Sequence, residues 1–161
     1  MVYAAPLALA VPDLAELLVA IGFGVVLIWI SLVDLERHEI PDAASALLAV
    51  TGLGVTAAHG VPVLIHLLAG LVWGGVFAGV ALCYRRVRGF DGLGLGDAKL
   101  MVGIGAWLGP VAPASVVLGA TLSGIGFILT MQRGKQQSAI AFGPFLCFFA
   151  WMVWLFGPVG I

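Results

Sequence analysis

Residues 14–42 read LAELLVAIGFGVVLIWISLVDLERHEIPD, an apolar run that ends in a cluster of charge. From about Leu14 to Val33 the single ionisable side chain is Glu16. A run of this length matches the roughly 20 apolar residues that a helix needs to cross a bilayer. It stops at Asp34-Leu35-Glu36-Arg37-His38-Glu39, and Ile40-Pro41 follows. Asp42 then suits the N-cap of a second helix, from Ala43 to about Ala58.

The rest of the chain repeats the pattern. His59-Gly60 makes a short turn, and Pro62 suits the first turn of a third helix that reaches about Tyr84 and stops at Arg85-Arg86-Val87-Arg88. A glycine-rich loop follows, Gly89 to Gly96. A fourth apolar run carries Asp97 and Lys99 in its first turn and ends at Gly109-Pro110. Pro110 and Pro113 open a fifth, to about Met131; Arg133-Gly134-Lys135 forms a loop. A sixth covers about Ala139 to Phe156, with Gly143-Pro144 inside it. Residues 1–12 lack a basic segment and are interrupted by Pro6 and Pro12, so they read as a short lead-in rather than a secretory signal.

Composition agrees with a chain solvated by lipid. Hydrophobic residues make up 62% and charged ones 9%, with a mean hydropathy of +1.17. Water-soluble domains carry about 25% charged residues, so this chain could not cover an aqueous surface. The expected fold is an all-α polytopic membrane protein of about six transmembrane helices. It forms one transmembrane domain over residues 1–161, with no separate soluble domain. A net charge of −1 excludes a basic surface for nucleic acid. Cys83 and Cys147 stand alone in apolar runs, form no metal pattern, and read as small buried hydrophobes. No cofactor is expected.

Charge placement orients the chain. Arg37 lies in the first connection between helices; Arg85, Arg86 and Arg88 lie in the third, with Lys99 at its far end; Arg133 and Lys135 lie in the fifth. With six spans all seven basic residues fall on one side. The positive-inside rule makes that side cytoplasmic and puts both termini outside. Gly70, Gly74, Gly75 and Gly79 read as helix-packing positions. Trp73, Trp107, Trp151 and Trp154 read as lipid-facing or interfacial anchors.

Most acidic residues have structural readings. Asp13 and Glu16 suit a helix N-terminus, Asp42 a cap, and Glu36 and Glu39 a solvated loop with Arg37. Asp34 and Asp97 differ. One sits where the first helix leaves the membrane and the other where the fourth enters it, so the topology sets both at one depth on one face. Ionisable groups beside hydrocarbon are functional candidates. Two carboxylates that converge there cannot both ionise easily and share a proton, which suits hydrolysis. His59 lies on the opposite side and His66 within the third span, neither with a nucleophile partner. Taken singly, Asp97 also fits a helix-dipole carboxylate or cap, and Asp34 a hydrated helix-end residue. The residues alone thus present a candidate carboxylate pair at the cytoplasmic interface. A competing class is a small transporter or a helix-packing subunit of a membrane complex. Against it, neither Asp lies mid-span, where transporter sites sit.

Three segments carry a resemblance. Gly94-Leu95-Gly96-Asp97-Ala98-Lys99-Leu100 is similar to the GxGDxKL form of the GxGD signature of type IV prepilin peptidases. The continuation Gly105-Ala106-Trp107-Leu108-Gly109 resembles the helix after that motif. Asp34 to Pro41-Asp42 resembles the family's other active-site element, an Asp leading into Ile/Leu-Pro-Asn/Asp. Ala141-Phe142-Gly143-Pro144-Phe145-Leu146 is similar to a PFGPFL segment late in such enzymes. The segments keep the family order and span about Leu14 to the C-terminus.

The resemblance implies an aspartyl endopeptidase with Asp34 and Asp97 as catalytic dyad. Gly94 and Gly96 would let the loop backbone approach the site, and Lys99 would lie one turn on, near the dyad or lipid headgroups. The implied substrate is a prepilin or pseudopilin, cut where its short basic leader meets the cytoplasmic face of the inner membrane. Bifunctional members also carry paired CxxC motifs and N-methylate the new terminus. No CxxC occurs in these 161 residues, so zinc binding and methyl transfer are not expected. The chain looks most like short, peptidase-only members of tight-adherence (Flp) systems. Archaeal preflagellin peptidases come second, and presenilin-type GxGD proteases rank below them. The 89–96 loop is expected to be mobile and to close on substrate.

Overall fold

The computed structural model describes residues 14–88, 94–131 and 141–158. Among them every regular element is a helix: α1 Leu14–Arg37, α2 Asp42–Ala58, α3 Val63–Arg88, α4 Leu95–Leu108, α5 Ala112–Met131 and α6 Gly143–Phe156. Each apolar run of the sequence has become one helix, because a backbone in hydrocarbon must satisfy its own polar groups. The residue 1–12 lead-in, the Arg133-Gly134-Lys135 loop and positions 89–93 of the glycine-rich loop lie outside the described residues.

The helices are of two lengths. Leu14–Arg37, Val63–Val87 and Ala112–Thr130 are long and apolar enough to cross a membrane, with mean hydropathies of 2.5, 2.1 and 1.8. α2 has 17 residues, and α4 and α6 have 14 each. At 1.5 Å per residue these reach only about 21–26 Å, short of a hydrocarbon core of roughly 30 Å. Only one of the short helices is truly internal, since α2 and α6 also expose apolar side chains such as Val50 and Phe148. The three long helices turn Leu18, Val25, Ile28, Leu64, Val72, Leu118 and Leu122 outward, as lipid-facing surfaces do. α4 is buried at ten of its 14 positions and is apolar on all sides. It is the central helix, packed chiefly against α3 and α2; α6 joins α5 to α1.

Close packing on α4 depends on missing side chains. Gly70 of α3 faces Gly105 of α4 so closely that a Cβ on Gly105 would lie 2.7 Å from the Gly70 Cα. Small residues at such a seam let helix backbones approach in lipid. Gly74 is held likewise against Ala98 and Val102. A Cβ added at Gly75 or Gly79 would meet nothing within 4 Å, so these two take no part in the seam. The reading of all four as packing positions holds for half of them.

Other sequence expectations shift for local reasons. α1 runs one turn past Val33, through Asp34 to Arg37, where a cation suits the helix C-terminus. The chain then reverses at His38, whose φ is 54°. α3 runs past Tyr84 to Arg88. α6 begins at Gly143, so Gly143-Pro144 occupies its first turn rather than its interior; a proline loses no helical bond there. Asp42 is not an N-cap. Pro41 holds that position, and no side chain caps the helix.

Trp107 is not an interfacial anchor. It is 8% exposed, stacks on Phe23 at 4.3 Å between centroids, and donates its Nε1–H to the Leu48 carbonyl at 2.7 Å. Trp151 and Trp154 stack on one another and on the same Phe23 cluster, and Trp73 donates to the Pro110 carbonyl. Cys147 is buried, but Cys83 is exposed on the outer side of α3.

Candidate active site

Asp34 is the last member of the stripe that α1 buries: Ala20, Phe23, Leu27, Ile30 and Asp34, spaced three or four apart. The helix geometry that packs Phe23 into the core therefore turns the Asp34 carboxyl inward. Asp97 is the third residue of α4 and begins that helix's buried run. The two carboxylates come from separate helices, at the end of each that carries the charged connections. They are 5% and 7% exposed, and the charge on Asp34 is felt at Asp97.

Asp97 Oδ2 lies near Gly94, the α4 N-cap, 3.7 Å from where a Cβ on that glycine would stand. Asp34 Oδ2 accepts the Gly143 N–H at 3.0 Å in a buried hydrogen bond. A Cβ at Gly143 would stand 2.6 Å from that oxygen. Gly143 is the site residue that the sequence did not single out. A glycine-proline pair opening a helix is a visible signal, yet the backbone donor it supplies is not. Cys147, on α6, lies beside Ser31 and within electrostatic reach of both carboxyls.

The remaining expected residues surround the pair. Gly96 lies against Ile40, where a Cβ would stand 3.1 Å from the Ile40 Cβ, so the loop does pass close to the α1–α2 connection. Gly94 is the N-cap of α4. Lys99 does not turn to the dyad: its Nζ pairs with Asp42 Oδ1, both groups being exposed. That pair ties the α1–α2 connection to α4. Beside it an open hollow of about 310 Å³ is lined by Val33, Arg37, Glu39, Ile40, Pro41 and Asp42. Among the described residues, no three His, Cys, Asp or Glu side chains gather as metal ligands.

A paired, buried, mutually interacting set of carboxyls near a helix end can take a proton from water with one member and polarise a carbonyl with the other. Comparison with known proteins points the same way. Residues 21–129 match the Type IV leader peptidase family. The chain is 33% identical over 133 residues to the prepilin leader peptidase/N-methyltransferase of Burkholderia pseudomallei (strain 1026b), covering 80% of this chain and 43% of that protein. The protein of that name from Pseudomonas aeruginosa is 31% identical over 142 residues, covering 81% and 47%. The one from Escherichia coli (strain K12) is 33% identical over 124 residues, covering 73% and 53%. The chain thus spans about half the length of these relatives. No solved structure matches it significantly. The matched stretch holds both buried aspartates, the GxGD turn and the helices that bring them together, and the chain belongs to the type IV leader peptidase family.

Proposed function

We propose that this chain is a membrane aspartyl endopeptidase that removes the leader from a prepilin-like substrate, with Asp34 and Asp97 as its catalytic dyad. The observation that carries the proposal is the burial of these two carboxyls within electrostatic reach of each other, at one end of α1 and α4, in a chain of this family. In the hydrolysis, a water O–H bond breaks and its proton passes to one carboxylate. The water oxygen bonds to the scissile carbonyl carbon while the other carboxyl gives its proton to the carbonyl oxygen. When the C–N bond then breaks, the amine takes a proton from the first carboxyl. The diol returns one to the second, and the pair is restored.

The location of the pair suits such a substrate. A prepilin presents a polar leader followed by an apolar helix, and the dyad lies where charged connections give way to apolar helix. Glu39 and Asp42, which line the hollow at the α1–α2 connection together with Arg37, offer acidic groups to a basic leader. The basic residues Arg37, Arg85 and Arg86 support a cytoplasmic face at this end, and with it an inner-membrane location. A single transmembrane domain accounts for the described residues. The relatives' names also include N-methyltransferase; the proposal is confined to peptide cleavage.

The test is to incubate the purified protein with a full-length prepilin in detergent or liposomes and to determine the product masses. Cleavage at the junction of leader and apolar helix is expected. An intact substrate, with wild-type protein shown to be folded, would contradict the proposal.

A further inference from the structure

The Phe142-Gly143-Pro144 segment has no part in the hydrolysis as written, yet it touches the dyad. We infer that the backbone N–H of Gly143 is the positioning group of the dyad, fixing the rotation of the Asp34 carboxyl and leaving Oδ1 as the oxygen that exchanges protons. The inference rests on the reading of Asp34 and Asp97 as the peptidase pair.

Three observations carry it. First, the Gly143 N–H donates to Asp34 Oδ2 at 3.0 Å, in a buried bond. Second, within residues 143–146 of α6 that donor stands alone. Helix N-termini ordinarily leave several amides unpaired. Here Pro144 has no N–H, and Phe145 and Leu146 turn their amides back to the Phe142 carbonyl at 3.1 and 3.3 Å. Among residues 143–146 this leaves one amide, and it points at Asp34. Third, the glycine is required by space and not by backbone conformation. Gly143 is absent from the glycines of positive φ, which among the described residues are Gly60, Gly109 and Gly157. A Cβ at Gly143, however, would lie 2.6 Å from Oδ2 and 3.1 Å from Cγ of Asp34. Any other residue would push the carboxyl away.

The chemistry follows from valence. An N–H only donates, so Oδ2 is held as an acceptor and carries no proton. The proton that the pair shares then sits on Oδ1 of Asp34 or on Asp97, and Oδ1 remains to meet water. α6 acts on the reaction through Asp34 without touching the substrate. Holding a reacting carboxyl to within a fraction of an ångström matters, because a displacement of about 1 Å costs on the order of 100-fold in rate.

The decisive variant is Gly143→Ala, assayed on a prepilin beside Gly24→Ala. A Cβ at Gly24 meets the Trp151 ring at 3.1 Å, away from the dyad, and so controls for crowding alone. Gly143→Ala should lower kcat by about 100-fold while KM stays within about twofold, and Gly24→Ala should keep its kcat. A second measurement is independent of whether that variant folds. Labelling Phe carbonyl carbons with ¹³C and Gly amides with ¹⁵N selects the three Phe-Gly bonds, at Gly24, Gly143 and Gly157. The Gly143 amide proton should move upfield in Asp34→Ala, while the other two hold their positions. Wild-type kcat in Gly143→Ala, or a Gly143 amide indifferent to Asp34→Ala, would overturn the inference. A wild-type protein that cleaves no prepilin would instead fail the peptidase reading.

Discussion

Asp34 and Lys99 show how much a residue's meaning depends on which way its helix turns it. Asp34 points inward because it continues the Phe23–Leu27–Ile30 stripe of α1. Lys99, two residues beyond Asp97, is turned the other way and meets Asp42. With side chains 52% and 77% exposed, that ion pair is worth less than about 1 kcal/mol. Lys99→Ala should therefore shift the melting temperature in detergent by no more than about 4 °C. A larger drop would give the pair a structural weight that its exposure does not support. At this scale the sequence was readable where identity carries the chemistry. A carboxylate at a membrane edge marks a candidate site, and so does an aspartate after Gly94-Leu95-Gly96. It was unreadable at Gly143, whose contribution is a main-chain amide and an absent Cβ. Trp107 misled for a related reason: an indole can sit at an interface or in a core, and only the Leu48 carbonyl and the Phe23 ring decide which.

Helix boundaries were legible to within a turn wherever proline or charge interrupted an apolar run, as at Pro62 and Pro110. They failed where charge does not break a helix, as in the Arg85–Arg88 extension of α3. Helix faces were harder. In α3 nearly every position is apolar, so no polar stripe marks the outside, and the glycines alone could not show which ones face α4. The contacts separate them. Gly70 has the Val102 carbonyl oxygen 2.6 Å from where a Cβ would be, while Gly75 has open space. Gly70→Ala should destabilise the protein by about 1–3 kcal/mol through overpacking against backbone that cannot yield. Gly75→Ala should be neutral, or stabilising by up to about 1 kcal/mol through helix propensity. Thermal melts of the two variants in one detergent provide the check. Equal melting temperatures would mean that the α3–α4 seam is looser than described.

Across the whole molecule, a short central helix, packed chiefly against α3 and α2, carries Asp97 within electrostatic reach of Asp34. The number of helices was plain from the apolar runs. The inner place of α4 was not, because a run of 14 residues reads the same whether lipid or protein surrounds it. For sidedness, the positive-inside rule predicts that the Arg37 and Arg86 end is cytoplasmic. A membrane-impermeant thiol reagent applied to intact cells should label His59→Cys and not Arg86→Cys, in a background lacking Cys83. The reverse pattern would put the dyad on the wrong face for a cytoplasmic leader. The central claim, that Asp34 and Asp97 work as one unit, is tested most directly by prepilin cleavage rates of Asp34→Asn, Asp97→Asn and the double variant, each shown to be folded in the membrane. Each single change should lower the rate by at least about 100-fold, and the double should be scarcely worse than either single, as for groups that act together. Near wild-type cleavage by either single variant would contradict the account.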